Sequence, residues 1–145
     1  MHLARRAWCR TYQTVFRIAL PILPYTEPRI LEHAEDVPAV LQKRSIQKVL
    51  IVTDPGIARL GLTASLERAL TAQGIGVTVY AETRMNPTVS NVEEAASLYR
   101  ESACQAIIGF GGGSAMDCAK GVGARIAQPN KPINKMRGLL RVHRL

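Results

Sequence analysis

Three consecutive glycines, Gly111, Gly112 and Gly113, separate the apolar run Ala106–Phe110 from Ser114-Ala-Met-Asp117-Cys-Ala-Lys120, which reads as the start of a helix. Glycine lets backbone N–H groups approach an anion with no Cβ in the way, and a helix start adds unpaired N–H donors and the positive end of its dipole. That is the chemistry of a phosphate cradle, and it implies a nucleotide or dinucleotide as ligand. Neither common phosphate signature fits. The spacing Gly109-Phe-Gly111-Gly-Gly-Ser114 puts serine where a G-x-G-x-x-G loop has its third glycine, and Lys120 follows Ala119 inside the helix instead of opening it as in a P-loop. A tight strand-to-helix turn is the other reading of the same residues, with Ser114 as N-cap and Asp117 at third-residue spacing.

The other chemically capable residues each carry two readings. Asp54, just after the run Lys48–Thr53, is either a turn residue before Pro55-Gly56 or an acceptor for ribose hydroxyls. Asp117 and Lys120, three apart on a helix, pair with each other or leave the lysine for a phosphate. Asn86 precedes Pro87 and forms a turn at the least. His2, His33 and His143 are scattered and none stands with an acid at metal-ligand spacing, so no catalytic or metal-binding residue is assigned.

The elements that must position these residues alternate. Lys48–Thr53 is a continuous apolar run with β-branched residues, as expected of a strand covered on both faces, and Ile57 to Gln73 has apolar residues at helical intervals before a left-handed cap at Gly74. Val77–Tyr80 is a second strand. Ser90-x-x-Glu93 has the form of a capping box opening a helix that runs to about Ser102. Ala106–Phe110 is a third strand, and Ala115–Ala127 a third helix ending before Pro129. A β-α-β-α-β-α order requires parallel strands with right-handed crossovers, hence an α/β, Rossmann-like doubly wound sheet with flanking helices. In such a sheet Asp54 and the loop 111–114 both fall at carboxyl ends of strands, where ligands bind.

Composition narrows the class. With 145 residues and 47% hydrophobic content the chain is an ordinary globular domain's worth. Cys9, Cys104 and Cys118 are odd in number and lack C-x-x-C spacing, which favours a reducing, cytoplasmic setting with at least two of the thiols in the core. The formal charge of +8 sits at the ends: Arg5, Arg6, Arg10 and Arg17 in residues 1–26, and Lys131, Lys135, Arg137, Arg141 and Arg144 in residues 131–145, with no acid in either. No nucleic-acid-binding motif accompanies it, so this charge reads as solvated surface. Trp8, Tyr12, Val15, Phe16, Ala19 and Leu20 mark one face of an N-terminal amphipathic helix. Arg10 and Arg17 exclude a secretory signal, a mitochondrial presequence and a docked helix both fit, and no apolar run is long enough to span a membrane.

Gly111-Gly-Gly-Ser-Ala-Met-Asp117-Cys-Ala-Lys120 resembles the Gly-Gly-Gly-Ser-x-x-Asp-x-Ala-Lys signature of the iron-dependent, group III, alcohol dehydrogenases. Lys48-Val-Leu-Ile-Val-Thr-Asp54 and Asn86-Pro-Thr88 are similar to that family's first nucleotide-binding strand and the loop before its next helix, in the same order. The resemblance runs from roughly Tyr12 to the C-terminus. It implies an NAD(P)-dependent, metal-requiring oxidoreductase acting on an alcohol or aldehyde, with Asp54, Asn86, Gly111, Gly112, Gly113, Ser114 and Asp117 binding the cofactor. It further implies NAD over NADP, because an acid at the position of Asp54 repels a 2′-phosphate, and a docked N-terminal helix over a presequence. Relatives continue into a segment that touches the cofactor and a helical domain whose aspartate and histidines hold iron or zinc; this chain stops at Leu145, before either. The expectation is therefore an N-terminal helical segment, 1–30, and a dinucleotide-binding domain, 31–145, incomplete at its C-terminus, with no metal of its own. The alternative is a catalytically inactive nucleotide-binding module. Either would expose an apolar face and self-associate.

Overall fold

The computed structural model describes residues 27–136 together with residues 8, 10, 11, 13–15, 17 and 18, which are helical. Tyr12, Phe16, Ala19 and Leu20 of the expected amphipathic face, and the basic stretch from Arg137 onward, lie outside the described residues, and Trp8 and Val15 are exposed. The chain divides into two compact units, 1–30 and 31–145.

The second unit is an α/β layer structure. A 3₁₀ turn, Ala34–Asp36, leads into α1 (Val37–Gln42), β1 (Lys48–Val52), α2 (Pro55–Arg59), α3 (Ala64–Ala72), β2 (Gly76–Tyr80), α4 (Val89–Glu101), β3 (Ala106–Gly109), α5 (Gly113–Ala127) and a last 3₁₀ turn, Ile133–Lys135. The three strands form one parallel sheet in the order β2-β1-β3, with Val49 opposite both Val77 and Ala106. Because side chains alternate along a strand, β1 feeds both faces. Val49 and Ile51 pack with Leu66, Leu70 and Ile75 on the α3 side, while Leu50 and Val52 pack with Val92, Ala95, Ala96, Cys118 and Val122 on the α4–α5 side. Val49 to Val52 are fully buried, which is why that run carries no polar residue. Cys104 and Cys118 are buried free thiols, as expected of core residues.

Three boundaries differ from the sequence expectation, each for a local reason. The helix expected over Ile57–Gln73 is two helices, because Gly61 adopts φ +65° and its N–H closes on Ala58 O at 3.0 Å. The Ser90/Glu93 capping box is replaced by one two residues earlier. The Thr88 hydroxyl accepts from the Asn91 N–H and Asn91 Oδ1 accepts from the Thr88 N–H, each at 3.3 Å. Asn86 at φ +56° turns the chain ahead of Pro87, and Glu93, freed from capping, binds the Arg125 Nε across the α4–α5 interface at 2.8 Å. Finally, α5 opens at Gly113 with Gly112 as N-cap, which makes Ser114 the second helical residue and not the cap.

Candidate dinucleotide site

Strand β1 is central, and the chain leaves it first toward β2 and then crosses to β3 on the other side, so the crevice at the carboxyl ends is a topological switch point, the place where open α/β sheets bind ligands. Three helices begin there, and their N-termini differ. At α2 the Asp54 Oδ1 accepts from the Gly56 and Ile57 N–H groups at 2.9 and 3.0 Å. At α4 the Thr88–Asn91 box does the same work. At α5 no side chain caps the helix. Its first-turn N–H groups, from Gly113 onward, therefore lack a side-chain acceptor, and they belong to the longest helix of the unit, 15 residues.

The glycines before α5 divide into two kinds. Gly111 sits at φ +130°, and a Cβ there would meet Asp54 Oδ2 and the Ala115 Cβ, both at 3.4 Å. It is the residue that turns the chain. Gly112 has ordinary extended geometry, φ −78° and ψ −172°, and a Cβ on Gly112 or Gly113 would meet nothing within 4 Å. These two glycines keep the approach to the helix open.

A cleft of about 510 Å³ lies at this point. Asp54, Pro55, Gly56 and Arg59 form one wall, Thr83, Arg84 and Met85 a second, and Gly112, Gly113, Ser114 and Ala115 the third. Of the residues singled out from the sequence, Asp54, Gly112, Gly113 and Ser114 line it together, and Gly111 stands behind Asp54. Asn86 and Asp117 are not among the lining residues: Asn86 is exposed in its turn, and Asp117 is exposed and paired with Lys120 Nζ at 3.3 Å. The wall formed by Thr83, Arg84 and Met85 was missed. Its signal was present, since these residues follow the end of β2 as Asp54 follows β1.

Beneath the cleft the chemistry is quiet. The Tyr80 hydroxyl donates to Glu94 Oε2 at 2.8 Å and accepts from Asn91 Nδ2 at 3.1 Å; burial, against the pull of the Asn91 bond, pushes its pKa up to about 12. Burial likewise raises the Cys118 thiol above its usual range, so it stays protonated. The nearby Thr83 hydroxyl favours the thiolate, yet it makes no hydrogen bond of adequate geometry and is, with Thr53, a buried hydroxyl without a partner. Among the described residues no three His, Cys, Asp or Glu side chains stand together. No described helix is long and apolar enough to cross a membrane.

Residues 30–144 match the model of the iron-containing alcohol dehydrogenases. The chain belongs to that family. It is 39% identical over 92 residues to sulfoacetaldehyde reductase of Bilophila wadsworthia, which is 63% of this chain and 24% of that protein. It is 35% identical over 88 residues to alcohol dehydrogenase 4 of Saccharomyces cerevisiae, 61% of this chain and 23% of that one. The crystal structure of sulfoacetaldehyde reductase from Bifidobacterium kashiwanohense in complex with NAD+ superposes with a TM-score of 0.67 at 25% identity, covering 80% of this chain and 31% of the other. The chain thus spans about a quarter of the length of the curated relatives it matches.

Proposed function

We propose that residues 31–145 are the dinucleotide-binding part of an NAD-dependent, metal-requiring alcohol dehydrogenase, with residues 1–30 an N-terminal helical segment. The observation that carries this reading is the uncapped N-terminus of α5, opened by Gly112 and Gly113 into a cleft at the switch point of the sheet. The pyrophosphate of the dinucleotide takes the Gly113 and Ser114 N–H groups, for which the described residues supply no side-chain acceptor. Asp54 faces the ribose with the oxygen its cap leaves over, and its charge favours NAD over NADP. Asn86 and Asp117 enter as supports of the flanking turn and helix. When bound, the nicotinamide accepts or returns the hydride exchanged with the alcohol or aldehyde. This chain's share is to hold and orient the dinucleotide; the described residues hold no donor set for iron or zinc, and we assign them no step at the metal.

The second reading is a nucleotide-binding module without turnover, in which the same cleft holds the nucleotide. Titration with NAD, assay of NADH formation from primary alcohols, and metal analysis of the purified chain test what the two readings share. Expected are NAD binding, no turnover and no stoichiometric metal. Absence of NAD binding overturns both readings, and turnover with bound metal overturns the assignment of this chain to the binding half. The buried thiols Cys104 and Cys118 suit a reducing, cytoplasmic compartment.

A further inference from the structure

Two cations of the cleft have no role in the dinucleotide reading. Arg59, at the end of α2, and Arg84, after β2, line the same cleft as Gly112 and Ser114. Two cations of α5 are engaged: Arg125 holds Glu93 and Lys120 holds Asp117. Among the described residues the side chains of Arg59 and Arg84 make no ion pair or hydrogen bond. The acids near them are committed or loose. Asp54, in the cleft, spends Oδ1 on the α2 cap, and Glu82, which shares a neighbouring polar cleft with Arg84, forms no ion pair with it. Thr83, next to Arg84 in the chain and 1% exposed, lines the cleft with them, and among the described residues its hydroxyl has no hydrogen-bond partner. Two guanidiniums without a described partner thus border a cleft whose third wall is an uncapped helix N-terminus.

We infer that Arg59 and Arg84 form a cationic clamp on the phosphates of the nucleotide, closing on the diphosphate from the side opposite α5. The inference rests on the dinucleotide reading and sharpens it, because it names the part of the ligand that most of the affinity comes from. A guanidinium offers a planar fork of N–H donors that matches phosphate oxygens, and such bonds are stronger than neutral ones. The α5 N-terminus alone contributes about half a positive charge, too little to balance a diphosphate.

The test is calorimetric titration of the chain and its Arg59→Gln and Arg84→Gln variants with NAD, ADP, AMP and adenosine at low and high salt. Circular dichroism checks that each variant is folded, which two exposed positions make straightforward. Expected for the wild type is ADP binding well above adenosine binding and weakened by salt. Each variant should bind ADP and NAD about tenfold less tightly, with a shallower salt dependence and unchanged adenosine binding. If ADP binds both variants as it binds the wild type, the clamp is wrong while the dinucleotide reading stands. If ADP and adenosine weaken together, the arginines cover the base and the clamp is wrong. If the wild type binds neither NAD nor ADP, the dinucleotide reading itself falls and takes the clamp with it.

Discussion

The starts of α2 and α5 occupy equivalent places, each following a strand into a helix at the same rim of the sheet, yet they treat their N–H groups in opposite ways. At α2 the chain brings its own anion, the Asp54 carboxylate, and the helix end is closed. At α5 the cap is Gly112, which has no side chain to offer, and the end is open to the cleft. A helix start costs unsatisfied donors wherever it occurs, and a side-chain cap is the ordinary remedy. Withholding the cap at one of the three helix starts, with glycines that leave the approach open, is what distinguishes the α5 loop from the α2 connection.

The comparison breaks most sharply within the glycine run itself. Gly112→Val changes no backbone preference, since the residue is extended with φ −78°, and its side chain enters open space in front of α5. It should lower NAD affinity by at least about tenfold while stability stays within about 0.5 kcal/mol. Gly111→Val forces a β-branched residue to φ +130° against Asp54 and Ala115, so it should destabilise the fold by about 1–3 kcal/mol as well as weaken binding. Paired calorimetric titrations and urea melts check both. Equal effects at the two positions would mean that the loop is a structural turn throughout.

The third helix start depends on Tyr80, which holds Asn91 of the α4 capping box. Its hydroxyl titrates near 12 in the folded chain against about 10 when unfolded. The folded state therefore keeps the proton longer, stability is complete below pH 10, and about 2–3 kcal/mol is lost as pH rises from 10 to 12. Tyr80→Phe should flatten the alkaline limb of a stability-against-pH curve measured by urea melts.

Asp54 sets a smaller test of what a cap is for. Asp54→Ala should cost about 1 kcal/mol by uncapping α2, while Asp54→Asn, itself a good cap, should cost little. Both remove the charge, so both should narrow the preference for NAD over NADP in parallel titrations. If Asp54→Asn leaves the preference intact, the residue is a cap and nothing more. The smallest effect belongs to Lys120→Gln, which breaks an ion pair whose side chains are 76% and 67% exposed. Stability should move by less than about 0.5 kcal/mol and NAD binding not at all, because Lys120 does not line the cleft.

The order of strands and helices was legible in the sequence because burial on both faces leaves a continuous apolar run at Val49–Val52, and Gly74 marked a helix end that does adopt φ +73°. The open loop before α5 was legible because three glycines before a helix exceed what a turn requires. Helix starts were less so. Ser90 with Glu93 and Ser114 with Asp117 have the spacing of caps, but the caps fell on Thr88 and Gly112, since a cap belongs to whichever residue is last to be extended as the chain leaves a turn. Asn86 at φ +56° and Gly111 at φ +130° decided that, and spacing alone does not carry backbone dihedrals.

By itself the sequence determined the parallel α/β sheet, the position of the glycine loop after the third strand and the family to which the chain belongs, because each depends on patterns within a few neighbouring residues. Only the tertiary structure decided which residues share the cleft. Thr83, Arg84 and Arg59 come from segments remote from the glycines and reach them because β2 and β3 flank β1. Asn86 and Asp117 lie close to the site in sequence and outside the cleft lining in space, since a single residue's step along a turn or helix swings a side chain to another face.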